Sequence, residues 1–271
     1  MRVSIFLVFI VGVLVSHSNA YSAGRCEISI GDKVSFRDPV EVYESMQGMQ
    51  LVKDEFETTA AFKKRVAEVE STFNNESILL RGTYWRSNTK YDADNSRIVM
   101  TEYAWQVGFF DSSEVHGIES ESGYDNINHE IGLKYDEQTI GTFTAFNAYG
   151  ASIEVYRVLR VVYGVFDRSG VSDYRTWRSE INVEGEFGFN EPAVLIPMPI
   201  DEAKRVISNL QVGVSVTPKK PFTAKGKKQL GPTIDIPKEL NVIYHTIVAD
   251  INCVVIADDK GRVLKTVEIA Y

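Results

Sequence analysis

Hydrophobic and polar positions repeat along this chain with two different periods. From Val242 to Ile256 they alternate over fifteen residues, the period of an extended strand. Ile243, His245, Ile247, Ala249, Ile251, Cys253 and Val255 share one predicted face, and Tyr244, Thr246, Asp250 and Asn252 share the other. Asp258-Asp259-Lys260-Gly261 then reads as a hairpin turn, with Gly placed for a positive φ, and Val263 to Ala270 as the returning strand. Cys26-Glu27-Ile28-Ser29-Ile30 alternates in the same way near the other end. Ser77–Gly82, Ile98–Phe110, Thr139–Asn147, Ile153–Phe166 and Leu210–Val216 are further strands, rich in β-branched and aromatic residues.

The helical period is rarer. Phe62, Val66, Val69 and Phe73 recur at spacings of 4, 3 and 4 and make one apolar stripe, with Thr58 or Thr59 as cap. That predicts an amphipathic helix over about 58–74, packed on a sheet. Asp201, after Pro197 and Pro199, predicts a short helix over about 201–208. Residues 111–130, 167–186 and the Lys- and Pro-rich stretch from Lys219 to about Glu239 read as loops or as ambiguous. The expected class is α+β and β-rich: antiparallel sheets or a sandwich with few helices, ending in a long β-hairpin.

The N-terminus changes the picture of where this domain works. Arg2 precedes an apolar run from Ile5 to Val15, and Ser18-Asn19-Ala20 offers small residues at a peptidase site. This reads as a signal peptide over residues 1–20, cleaved after Ala20. A membrane anchor is the competing reading, but the run is too short for the roughly 20 apolar residues a spanning helix needs. Residues 21–271 are then expected to be one exported domain, with a possible subdivision near 170–190, in the periplasm or outside the cell. Losing the leader removes Arg2 and no acid, taking the formal net charge from −8 to −9. Such a surface repels phosphate backbones and disfavours nucleic acid as a partner.

An oxidising compartment bears on the two cysteines, Cys26 and Cys253. Both face inward in the expected register, which makes them candidates for a disulfide joining the two ends of the chain. The bland alternative is two separate buried thiols.

Candidate chemistry is sparse. His129 with Asp125 and Glu130 lacks the paired histidines of a zinc motif. His245 sits on an apolar face, where a packed histidine is the commoner outcome. Asp92-Ala93-Asp94-Asn95-Ser96 starts like a calcium loop, but Arg97 and Tyr103 stand where Gly and a bidentate Glu are required, so an Asx-stabilised turn is expected. No nucleophile elbow, P-loop or dinucleotide fingerprint is present, and no catalytic residue, metal or cofactor is assigned. Lys219, Lys220, Lys225, Lys227 and Lys228 form the strongest charge feature, read either as an anion or partner contact or as a solvated guard of a sheet edge.

Asp54-Glu55-Phe56-Glu57-Thr58-Thr59-Ala60-Ala61-Phe62 resembles the F-E-T-T-x-x-F helix start of exported bacterial proteins of no known activity. Tyr91-Asp92-Ala93-Asp94, Phe146-Asn147-Ala148-Tyr149-Gly150 and Pro232-Thr233 follow in the same order. The resemblance implies a bacterial envelope location and transfers no functional residue. The expectation is a non-enzymatic binding or structural component of the envelope, acting through sheet edges and loops on an unidentified partner. The alternative is an envelope hydrolase with dispersed residues, built on His245 or His129 with a nearby carboxylate.

Overall fold

The computed structural model describes residues 26–268, except 48, 50–52, 74–75, 102–103, 105–108, 111–114, 117–129, 147–149, 168–180, 185–189 and 234. The leader over residues 1–20, His129 with Asp125, and most of the 111–130 and 167–186 segments therefore lie outside the described residues.

In chain order the elements are α1 (Pro39–Gln47), α2 (Thr59–Phe73), β1 (Ile78–Arg81), β2 (Thr89–Asp92), β3 (Arg97–Thr101), β4 (Phe109–Phe110), β5 (Val115–His116), β6 (Glu130–Phe146), β7 (Ser152–Asp167), β8 (Ile181–Glu184), β9 (Asn190–Pro197), α3 (Ile200–Val206), β10 (Gln211–Leu230), β11 (Lys238–Ala257) and β12 (Val263–Glu268). The β-rich α+β class is as expected. Two sheets account for it. The larger runs β1-β10-β11-β7-β6-β4, with β12 also on β11 and β5 also on β10; the smaller runs β2-β3-β9-β8.

β11 is the spine. One edge pairs antiparallel with β10 from Ala257 to Leu240. The other edge is shared: β7 runs parallel to Lys238–Ala249, and β12 antiparallel to Cys253–Ala257. The parallel pair departs from the all-antiparallel expectation. Hairpins can supply only antiparallel neighbours, and β7 reaches β11 through intervening chain instead.

One large core lies between the sheets. The inner face of the large sheet contributes Val212, Val214, Ile247, Ile251, Val254 and Ile256, and the small sheet contributes Ile98, Met100, Val194 and Ile196. Helix residues Val42, Tyr43 and Met46 of α1 and Ala203 and Val206 of α3 complete it. α2 is capped by Thr58, whose Oγ1 accepts the Ala61 amide at 3.2 Å, as the sequence predicts. Only the far end of its stripe, Val69 and Phe73, reaches this core.

The expected faces of β11 need correction. Ser215 pairs with Cys253 but Val216 pairs with Ile251, so Asn252 is an extra residue, a β-bulge. The alternation shifts by one across it. Ile247, Ala249 and Ile251 face the main core, but beyond the bulge Val254 and Ile256 do. Cys253 and Val255 turn to the outer face, where they pack with Phe36, Leu79, Ala257 and Val263. Tyr244, Thr246 and Asn252, expected on a polar face, are buried, because the outer face is covered as well.

That covering begins with residues 26–37. Cys26–Ile30 is not a strand; the segment turns at Ser29–Asp32 and is held by isolated bridges Lys33↔Arg262 and Arg37↔Leu80. Phe36 packs against Gly213, where a Cβ would stand 2.1 Å from the Leu80 carbonyl oxygen and 2.6 Å from the Phe36 ring. No larger residue fits there.

Other boundaries also move. Ile98–Phe110 splits between the two sheets as β3 and β4. β6 starts at Glu130, nine residues before the expected Thr139. β5 interrupts the expected 111–130 loop. α3 starts at Ile200, so Asp201 lies inside its first turn rather than at its cap; its carboxylate there suits the positive end of the helix. α1 was not expected. Asp38-Pro39 is its signal: the Asp38 Oδ1 accepts the Val40 amide at 2.8 Å, and Pro39 occupies the first helical position.

Candidate functional site

The five lysines do not form a loop cluster. β10 runs straight through them to Leu230, interrupted once, between Pro218 and Thr223, where the register shifts. In that interruption Phe222 adopts a φ of 68° and drops its ring into the main core, 5.5 Å from Phe73 of α2. Lys219 pairs with Asp250 at 3.2 Å. Beyond the interruption the pleat separates the rest: Lys225 and Lys227 stand opposite His245 and Ile243, and Lys228 opposite Val242 on the other face. Lys225 and Lys227 therefore share one face of β10 and Lys228 lies on the other, so the five side chains do not all converge on one face. Lys225 does not stand on an open edge, since its backbone is paired with His245 of β11 on one side and His116 of β5 on the other.

What gathers instead is an aromatic group at His245. Tyr43 of α1 stacks on the imidazole at 4.7 Å and 3° between planes. Tyr163 of β7 meets it edge-on at 5.0 Å, and meets Tyr43 at 5.9 Å. The parallel β7–β11 register makes this possible by setting Tyr163 directly beside His245. Charges ring the group. Lys134 holds Asp38 at 3.1 Å, Lys225 lies on the β10 side, and Glu44 and Asp136 lie on α1 and β6.

The electrostatics follow from burial. His245 is pushed below its ordinary value by burial and then by the Lys225 charge, with Glu44 opposing. Tyr43 is raised to about 12, by burial and then by Tyr163. Burial would raise Asp38, yet the Val40 amide and Lys134 hold it below its ordinary value. The Tyr43 hydroxyl and His245 Nδ1 are both buried without a hydrogen-bond partner. A general base needs its nitrogen within reach of the proton it takes. Here Nδ1 is enclosed, and the half-buried ring is packed against Tyr43 and Tyr163. Sequence reasoning found His245 but missed Tyr43 and Tyr163, since neither α1 nor a parallel β7–β11 pair was expected.

Cys26 and Cys253 are bonded, with Cα atoms 5.4 Å apart. Asp92 closes the expected Asx turn: Oδ1 accepts the Asn95 amide at 3.2 Å, and Oδ2 accepts Asn95 Nδ2 at 2.8 Å and Arg97 Nε at 2.9 Å. Among the described residues no group of three His, Cys, Asp or Glu side chains is placed to hold a metal ion.

The remaining candidate surface is a blade. β6, β7, β10 and β11 are 17, 16, 20 and 20 residues long, and their distal halves continue past the shared core. There the outer faces of Tyr135, Val162, Leu240, Val242 and Tyr244 form a small cluster of their own. Ile140, Phe146, Tyr156, Leu230 and Ile236 are exposed around it. Glu137, Arg160 and Lys238 bridge three strands, with contacts of 2.6 Å and 3.4 Å. β6 is the outermost long strand; β4 covers only Glu130 and Ile131. Thr83 bonds the Leu133 carbonyl through its amide at 2.8 Å, and beyond it, from Lys134 to Phe146, no strand among the described residues pairs with the outer edge of β6. No helix among the described residues is long and apolar enough to cross a membrane.

Compared with protein-family models, curated proteins and solved structures, the chain finds no match in any of the three.

Proposed function

We propose that this protein is an exported, non-catalytic binding or structural component of the bacterial envelope, and that the blade is its contact surface. The observation that carries the reading is that, among the described residues, no strand pairs with the outer edge of β6 from Lys134 to Phe146. A long strand edge offers a row of unpaired amides and carbonyls, and an extended segment of a partner satisfies them by joining the sheet. The exposed apolar residues beside that edge give such a segment side-chain contacts as well. The leader and the end-to-end disulfide support export, since a disulfide persists outside the reducing cytosol. His245 is taken up by ring packing, which makes the hydrolase the weaker reading.

The test has two arms. Mass spectrometry of the protein recovered from cell fractions is expected to find an N-terminus at Tyr21 in the envelope or medium. A photoreactive residue replacing Gln138 on the β6 edge is expected to cross-link envelope material, while one replacing Lys265 on β12 does not. An intact leader in the cytosol, or equal labelling from both positions, would overturn the proposal.

A further inference from the structure

We propose that α1 is an acid-released clasp: protonation of His245 on β11 loosens Tyr43, and the helix with it, from the large sheet. The inference goes beyond the binding reading above and holds whether or not the blade is a contact surface.

α1 is nine residues long, and a free helix of that length is marginal in water. It is held instead by one buried stripe, Pro39, Val42, Tyr43 and Met46. Val42, Tyr43 and Met46 enter the main core, and Tyr43 is the member that reaches His245, stacked on the imidazole at 4.7 Å and 3° between planes. Tyr163 of β7 closes the group from the side, 5.0 Å from the imidazole. On the N-terminal side the chain is fixed as far as Arg37, whose amide bonds the Leu79 carbonyl and whose carbonyl accepts the Arg81 amide, at 2.8 Å each. An opening that spares this anchor starts at Asp38, the residue that caps α1 and is held by Lys134 at 3.1 Å.

The imidazole is the point at which such an opening can be driven. In the charged ring both nitrogens carry protons. Nδ1 is buried with no hydrogen-bond partner, so charging the ring places a donor there with nothing to accept it. Among the described side chains, the charged groups around the two tyrosines and the imidazole are Glu44 on α1, Asp38 before it, Lys134 and Asp136 on β6, and Lys225 on β10. Lys225 and Glu44 act on the ring directly and with opposite sign, and burial adds to Lys225. Asp38 is held below its ordinary value, so it stays ionised while His245 titrates. Once α1 lifts, water reaches the ring and its charged form is accepted. Acid therefore favours the open helix between the ordinary value of 6.5 and the lower folded one. Burial of Val42, Tyr43 and Met46 keeps the closed form in excess on both sides of that window. The opposing force is the attraction of a cation to the face of the Tyr43 ring, which would tighten the stack in acid. The sign of the response decides between the two.

Amide hydrogen exchange of the purified, disulfide-intact protein tests this, expressed as protection so that the intrinsic effect of pH is removed. At about pH 7.5 and at about pH 5.5, α1 is expected to be less protected than β11, the mark of a helix that opens without the rest of the fold. From the higher pH to the lower, α1 protection is expected to fall several-fold, with a ceiling of about tenfold set by the lower pH lying about one unit below the ordinary value of 6.5. His245→Phe keeps a flat ring for Tyr43 to stack on and is expected to abolish the fall. Lys225 is exposed, so Lys225→Gln leaves the fold intact while removing the like charge, and is expected to shrink the fall. An α1 as strongly protected as β11, protection unchanged or higher in acid, or a fall of the wild-type size in either variant would overturn the inference.

Discussion

His245 illustrates how a single side chain can be conspicuous in a sequence and still be spent on packing. Its imidazole is stacked on Tyr43 of α1 and met edge-on by Tyr163 of β7, with Lys225 and Glu44 acting on it and Lys134, Asp38 and Asp136 acting on the adjoining Tyr163. The neutral ring is the one the folded protein accepts. Its folded value lies below the ordinary 6.5, so the unfolded chain binds more protons as pH falls through that region. The contribution is therefore present above about pH 6.5 and lost as pH drops toward the depressed folded value. His245→Phe keeps the ring contacts and removes the titration. Urea unfolding at about pH 7.5 and about pH 5.5 is expected to show a smaller loss of stability for the variant than for the wild type. Equal losses would show that the packing around His245 does not disfavour its charged form.

At the scale of elements, much was legible and the failures share a cause. The α2 stripe, the Asx turn at Asp92, the β7 run and the terminal hairpin are local patterns, set by residues that are neighbours in sequence. Bulges and sheet partners are not local. Nothing in Val242–Ile256 marks Asn252 as the residue that reverses the faces; its role is visible only in its partners, with Nδ2 3.1 Å from Ser77 Oγ and 3.1 Å from Thr217 Oγ1. Asn252→Ala removes these bonds together with the one to the buried Ser215 hydroxyl at 3.4 Å, and is expected to cost about 1–3 kcal/mol in denaturant titration. A neutral result would mean that the bulge is held by the backbone alone. The Lys-rich stretch was misread for the same reason, since five lysines and two prolines look solvated until β11 is seen to pair with them. The hairpin turn carries a sharper constraint. Gly261 has φ +79°, and a Cβ there would stand 2.4 Å from the Val34 carbonyl oxygen. Asp258 braces the same turn, accepting the Lys260 and Arg262 amides at 3.0 Å and 2.9 Å. Gly261→Ala combines a left-handed backbone with a backbone clash and is expected to lower stability by about 1–3 kcal/mol, read as a fall in melting temperature.

For the whole molecule, the candidate site was less legible than the fold, because a sheet edge is defined by the strand that is missing beside it and the sequence of β6 cannot say which strands are its neighbours. The cysteines are the exception, a long-range contact that chemistry alone made visible. Cys26 anchors the segment carrying Ile28, Val34 and Phe36 over the outer face of β11, and the bond closes a loop across a separation of 227 residues. In the chain-entropy model so long a loop is worth about 5 kcal/mol, and measured values more often fall near about 2–4 kcal/mol. Its loss acts on two things at once: the unfolded chain gains freedom, and the outer cluster of Phe36, Leu79, Val255 and Val263 loses its tether. Cys26→Ser removes the bond while leaving Cys253 as a small buried group, so the packing around β11 persists. Denaturant titration of Cys26→Ser is expected to show a drop of about 2–5 kcal/mol, and hydrogen exchange to show lost protection first at the amides of Val34 and Arg37, which bond to the Gly261 and Leu79 carbonyls. Protection lost instead from β3 and β9, with Val34 and Arg37 unchanged, would place the effect in the small sheet and contradict the staple's position.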